Sequence, residues 1–259
     1  MPTADPAITA ALPKYQRTPI SEIKPAVDLL RNAFHSGKMR PMEKRIETLQ
    51  RLYYGFCDIE QDTISAMSAD IGRAHFETSF ADISFTKGEL ITIIQNMKGW
   101  LADEHVSEGI PWYLRLAHQA YLRKDPMGVV LIIGPWNYPW NLVLIPFFGA
   151  IAAGNTVVLK PSELSPHTAA MMERLLEVSG VDKDCFKVIQ GGVPETTEVL
   201  KQQFDKILFT GNGQVGRIVS RAAAEFLTPV ILELYVSVCH LPPPPPPPIL
   251  QYQANPLIS

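Results

Sequence analysis

The sequence predicts an α/β fold: a doubly wound parallel sheet preceded by N-terminal helices. Three observations predict it. Short apolar runs rich in β-branched residues recur from residue 128 to residue 234. Helical patterns separate those runs, and residues 41–101 carry a 3.6-residue apolar period instead. At 259 residues the chain suffices for one large domain, or for one domain with an arm.

Residues 1–20 read as a polar, irregular and flexible N-terminus. A helix is predicted from Pro41 to Phe56, with Ile46, Leu49, Tyr53 and Phe56 on one face. A short helix follows over Thr63–Ile71, and a third over Glu89–Leu101, where Leu90, Ile93, Met97 and Leu101 repeat the spacing. Gly109 to Leu116 reads as a loop, and Ala120–Arg123 as a strand leading into the Asp125-Pro126 turn. Strands are then expected at Gly128–Ile133, Thr156–Leu159, Phe186–Ile189, Lys206–Phe209 and Val230–Leu234. Helices are expected between them at Trp140–Ala153, Thr168–Ser179, Glu195–Gln202 and Gln214–Glu225. The second of these has Ser165 as its cap, Pro166 at its first position and Gly180 as its stop. Strand and helix in strict alternation make a parallel sheet covered on both faces. The rhythm ends at Tyr235. Residues 235–259 form a Pro-rich tail, and Pro242 to Pro248, seven in a row, fit only an extended polyproline II rod.

Composition excludes several classes. The net charge of −3, without a basic block, argues against a nucleic-acid partner, which needs a cationic face. Cys57, Cys185 and Cys239 have neither metal-ligand spacing nor an even-numbered framework, so no metal site is expected and a reducing, cytoplasmic setting is. Met1 to Lys14 lacks a secretory pattern. Pro126 to Leu159 carries no charge, but Pro135, Pro139 and Pro146 interrupt it. A membrane span would leave backbone groups unpaired there, so a buried strand, loop and helix are expected instead.

Three motifs carry chemistry. Gly211-Asn212-Gly213-Gln214-Val215-Gly216 follows a strand and opens a helix, the context in which G-x-G-x-x-G cradles a pyrophosphate. The alternative is a glycine-rich turn without a ligand. Glu233 lies near the distance at which an acidic residue holds the ribose in that motif. The glycine motif, however, belongs after the first strand of its unit, and here three strands come before it, which points to a different nucleotide-binding arrangement. The second motif, Ile132-Ile133-Gly134-Pro135-Trp136-Asn137-Tyr138-Pro139, sets an Asn at a strand end, where its amide could face an oxyanion. Its plainer reading is a Pro-rich loop whose Asn satisfies local backbone groups. The third, Val158-Leu159-Lys160-Pro161-Ser162-Glu163, puts Lys160 at a strand end with Glu163 beside it. They suit ribose hydroxyls, or form a surface ion pair of little worth.

Together GPWNYP, VVLKPSE, FTGNGQVG and the LEL around Glu233 resemble the aldehyde dehydrogenase superfamily, in the branch of the class 3 and fatty aldehyde dehydrogenases. The resemblance covers residues 21–234. It implies a Rossmann-like NAD-binding domain, NAD as cofactor with NADP possible, an aldehyde substrate and a homo-oligomeric, dimeric parent. It implies that Asn137 donates to the oxyanion and that Lys160 and Glu163 hold the adenosine ribose. Gly211, Asn212, Gly213, Gln214, Val215 and Gly216 stand at the pyrophosphate, while Ile133, Trp136 and Gly192 line the cofactor cleft. Family members carry Thr or Ser where this chain has Gly213, so the glycine match is partly accidental. Glu233 becomes the general base, and its ribose role is displaced. Glu163 would repel a 2′-phosphate, which favours NAD.

The family reaction needs a cysteine thiolate that attacks the aldehyde, passes hydride to the nicotinamide and releases the acid to water. In the family the Glu is followed by two glycines; here Tyr235-Val236 follows Leu234. The nucleophile belongs further past Glu233, on a catalytic domain expected to be absent from this chain. Cys239 has no family context and no cationic neighbour to lower its pKa. Impaired turnover is therefore expected. The alternative is a non-catalytic nucleotide-binding module whose proline run docks an SH3- or WW-type groove.

Overall fold

The computed structural model describes residues 12–106, 109, 111, 113 and 120–234. Cys239, the proline run and the rest of the predicted tail lie outside the described residues, as does most of the predicted 109–116 loop. The elements in chain order are α1 (Ile20–His35), α2 (Met42–Asp58), α3 (Glu60–Ile71), a short turn His75–Glu77 running into a π-helix Thr78–Ser84, and α4 (Phe85–Trp100). A small hairpin follows, β1 (Glu104–Val106) with β2 (Ala120–Leu122). Then come β3 (Val129–Ile133), α5 (Asn141–Ala152), β4 (Thr156–Lys160), α6 (Pro166–Val178) and β5 (Phe186–Val188). The last elements are α7 (Val193–Leu200), β6 (Lys206–Gly211), α8 (Gly213–Ala224) and β7 (Val230–Leu234).

Strands β3 to β7 form one parallel sheet in the order β5-β4-β3-β6-β7. The chain winds outward from β3 to β5 and then returns to the other side at β6. The reversal lies between β3 and β6, the place where open α/β sheets take ligands at the carboxyl ends of their strands.

Alternation along each buried strand sends side chains into two cores. Val130, Ile132, Val157 and Leu159 join one core with α2, α3, α4, α5 and α6. Val129, Leu131, Ile133, Val158, Ile207 and Phe209 join the other with α1, α7 and α8. Every residue of β3 and β4 is buried, which is why they read as continuous apolar runs rather than alternating ones.

Helix α1 is absent from the sequence reading. Pro25 lies inside it and removes one helical hydrogen bond, at roughly 3 kcal/mol. Ile23, Val27 and Leu30 are buried against the sheet, at roughly 1.5–3 kcal/mol each, so packing outweighs the break. Nor is all of residues 1–20 loose. Leu12 is buried, Thr18 donates its N–H to the Gln190 carbonyl at 2.8 Å, and its hydroxyl accepts from the Gln190 N–H at 2.9 Å. Ser165 stands at the expected cap position with Pro166 at the first turn, but its side chain does not make the capping bond. Asp70 of α3 accepts from the N–H groups of His167 and Thr168 at 3.1 and 2.7 Å, capping α6 from a distant element. The Ser165 hydroxyl donates instead to the Trp136 carbonyl at 2.9 Å.

Candidate active site at the carboxyl edge of the sheet

The carboxyl ends of β3, β4, β6 and β7 bring Ile133, Lys160, Thr210 and Glu233 to one edge. Ile133 is in register with both Lys160 and Phe209, and Thr210 with Glu233. The register also fixes faces. Lys160 shares the face of Ile133 and Phe209, the side of α1, α7 and α8. Glu233 shares the face of Thr210, the side opposite Phe209, onto which α5 packs over β3 and β4. Glu233 and Lys160 thus belong to opposite faces of the sheet.

At the end of β3 the chain passes α5 so closely that a Cβ on Gly134 would sit 2.0 Å from Val143 Cγ2. The loop that follows is fastened from outside. Arg73 donates to the Asn137 carbonyl at 2.7 Å, and its guanidinium lies 4.3 Å from the centre of the Tyr138 ring. Arg73 also pairs with Asp82, which is fully buried in the π-helix. Burial pushes the Asp82 carboxyl up, and the Arg73 charge pulls it back. Single π-helical turns occur often beside functional loops, and this one aims Asp82 at Arg73. With Ser165 holding the Trp136 carbonyl, two successive carbonyls of the loop, those of Trp136 and Asn137, are satisfied by distant side chains. Trp136 is half exposed above it.

At the end of β4, Lys160 is not the surface residue of the plainer reading. It is 2% exposed, and its pKa is held below the ordinary lysine value by burial. Its Nζ donates to the Pro161 carbonyl at 2.8 Å and lies 3.8 Å from Glu163 Oε2. An ammonium has three donors, so capacity remains for hydroxyl groups. After β5, Gly191 and Gly192 open α7. The Gly192 N–H donates to Glu195 Oε2 at 2.7 Å, and Gly191 adopts a φ of 156° where a Cβ would strike Glu195. Glu195, buried and close enough to lift Lys160 electrostatically, was missed by the sequence reading; the spacing from Gly192 to Glu195, three residues at a helix start, was the available signal.

The three glycines at the end of β6 and the start of α8 differ. A Cβ on Gly211 would meet the Phe209 ring at 2.6 Å, and one on Gly216 would meet Leu234 at 2.9 Å. A Cβ on Gly213 would meet nothing within 4 Å. Packing therefore presses on Gly211, whose neighbour is the buried Phe209 ring, more than on Gly216, whose neighbour is the end of an exposed leucine, and not on Gly213. Asn212 caps α8 by accepting from the Val215 N–H at 2.9 Å. A groove of about 420 Å³ between α7 and α8, lined by Thr197, Leu200, Ile218, Ala222 and Phe226, lies toward the helices' carboxyl halves, away from this edge.

Of the two described cysteines, Cys185 is buried, and burial pushes its thiol up to about 11. Cys57 is exposed near the end of α2. Neither lies on the strand edge. Among the described residues no cluster of His, Cys, Asp and Glu could hold a metal ion, and no helix is long and apolar enough to cross a membrane.

Strand order, switch point and the glycine loop define a doubly wound, Rossmann-like domain. The chain belongs to the aldehyde dehydrogenase family, which it matches over residues 1–236. It is 44% identical over 205 residues to aldehyde dehydrogenase family 3 member A2 of Pongo abelii, covering 79% of this chain and 41% of that protein. It is 42% identical over 215 residues to the dimeric, NADP-preferring aldehyde dehydrogenase of Canis lupus familiaris, covering 83% of this chain and 47% of that one. Among solved structures, AldH of Staphylococcus aureus in a substrate-bound state superposes with a TM-score of 0.79 at 36% identity, covering 82% of this chain and 45% of its own. The NAD+ complex of a Bacillus cereus aldehyde dehydrogenase gives a TM-score of 0.75 at 25% identity, covering 84% and 44%. The chain thus spans less than half the length of these relatives.

Proposed function

We propose that this chain is the nicotinamide-dinucleotide-holding part of an aldehyde-oxidising enzyme. The observation that carries the reading is the buried Lys160 ammonium at the strand edge beside Glu163, with donors to spare. These two residues would hold the adenosine ribose. Gly192 would leave room for it, and Gly211 to Gly216 would bring backbone N–H groups to the pyrophosphate. Ile133 and Trp136 would line the cleft toward the nicotinamide. When bound, the dinucleotide accepts hydride from the aldehyde carbon. On the other face, the Asn137 amide would donate to the oxyanion, and the Glu233 carboxylate would take a proton from water. NAD+ bound by the Bacillus cereus structure supports a nicotinamide cofactor.

Turnover also needs a thiolate nucleophile, and Cys57 and Cys185 are not placed to act as one. We assign the chain cofactor binding without efficient turnover. The test is calorimetric titration of the chain with NAD+, followed by addition of a medium-chain aldehyde with NADH absorbance recorded. Binding without sustained NADH formation is expected. Sustained NADH formation would overturn the assignment, and its loss or survival in Cys239→Ala would show whether that cysteine supplies the thiolate.

A further inference from the structure

We infer that Arg17, on the N-terminal arm, is a cofactor-specificity residue that receives the 2′-phosphate of NADP, so that the pocket takes NADP despite Glu163. The inference rests on the reading of Lys160 and Glu163 as ribose ligands.

The arm is held in place by Thr18, whose N–H and hydroxyl both pair with the Gln190 backbone. That pairing sets Arg17 beside the turn that opens α7. A Cβ on Gly192 would lie 3.8 Å from Glu163 Oε1 and 3.9 Å from Arg17 Nη2, so the carboxylate and the guanidinium border the same point. A ribose held by Glu163 therefore has Arg17 within reach of whatever its 2′-oxygen carries. Arg17 is only loosely paired: its Nη1 lies 3.8 Å from Glu195 Oε1, beyond hydrogen-bond length, and 62% of its side chain is exposed. Glu195 in turn is already engaged by the Gly192 N–H. A guanidinium offers two parallel donors to a phosphate, the geometry in which Arg binds that group best. Of the two cations at this point Lys160 is buried and Arg17 exposed, so Arg17 is the one that can turn toward an added phosphate.

The experiment is calorimetric titration of the full chain and of Arg17→Ala with NAD+ and with NADP+. The wild-type chain should bind both. Arg17→Ala should weaken NADP+ about tenfold or more, the usual weight of a charged hydrogen bond, while NAD+ shifts by less than about twofold. Arg17→Lys should recover part of the NADP+ affinity. An equal loss for both nucleotides, no loss for either, or a wild-type chain that binds NAD+ but not NADP+ overturns the assignment of Arg17 and leaves the ribose reading standing. A wild-type chain that binds neither overturns both.

Discussion

The two halves of the sheet's carboxyl edge are built differently. At β3 and β4 the chain is enclosed. Lys160 is buried, the Asn137 loop is held by Arg73 and Ser165, and α6 is capped by the equally distant Asp70. At β7 the chain is open. Ile231, Leu232, Glu233 and Leu234 are all exposed, and among the described residues the strand pairs only with β6. Relatives of more than twice the matched length share this domain. The difference teaches that the β3–β4 end owes its shape to this chain's own contacts, whereas Glu233 sits on a surface the described residues do little to shape.

Substitutions can break or sharpen that contrast. Arg73→Ala should have the largest effect. It strands a buried carboxylate and unfastens the Asn137 loop, and losing one partner of a buried pair costs about 3–5 kcal/mol, readable from urea unfolding. Asp70→Ala should cost less, about 1–3 kcal/mol, because it strips the cap of α6 and its bonds to His167 and Thr168.

Lys160→Met should separate stability from binding. It removes a buried cation whose charged form the fold disfavours, so the Tm should hold or rise, while NAD+ affinity should fall by about tenfold to a hundredfold. The sign with pH follows from the lowered pKa. The burial cost is present below the folded value, where the ammonium is charged in both states, and it is relieved as the pH rises through that value. Stability contributed by this site should therefore increase toward alkaline pH in the wild type and not in Lys160→Met. Glu233→Gln should have the smallest effect: its exposed side chain should leave both the urea midpoint and NAD+ affinity unmoved. A Glu233 substitution as damaging as Arg73→Ala would erase the contrast between the two halves.

Much of this was legible in the sequence. The five strands and four helices of the sheet domain sit where apolar run length and β-branching put them, within a few residues. Helix α1 was not legible, because Pro25 reads as a break and only the sheet supplies the face that Ile23, Val27 and Leu30 bury. The π-helix was hidden for a related reason: its role is to bring Asp82 to Arg73, nine residues away, and no 3.6-residue stripe records that. Lys160 and Glu163 were found as a motif, but the burial of one and exposure of the other emerged only from three dimensions. Arg17 carries no motif at all, and Glu195 only the helix-start spacing from Gly192. They matter because a chain that begins far away in sequence returns to Gln190 and Gly192.

Hydrogen exchange of the chain with and without NAD+ tests the central claim most directly. Protection is expected at residues 160–163, 191–195 and 211–216, with the β1–β2 hairpin unchanged. Protection absent from those three segments, or spread evenly over the sheet, would contradict the placement of the dinucleotide at this edge.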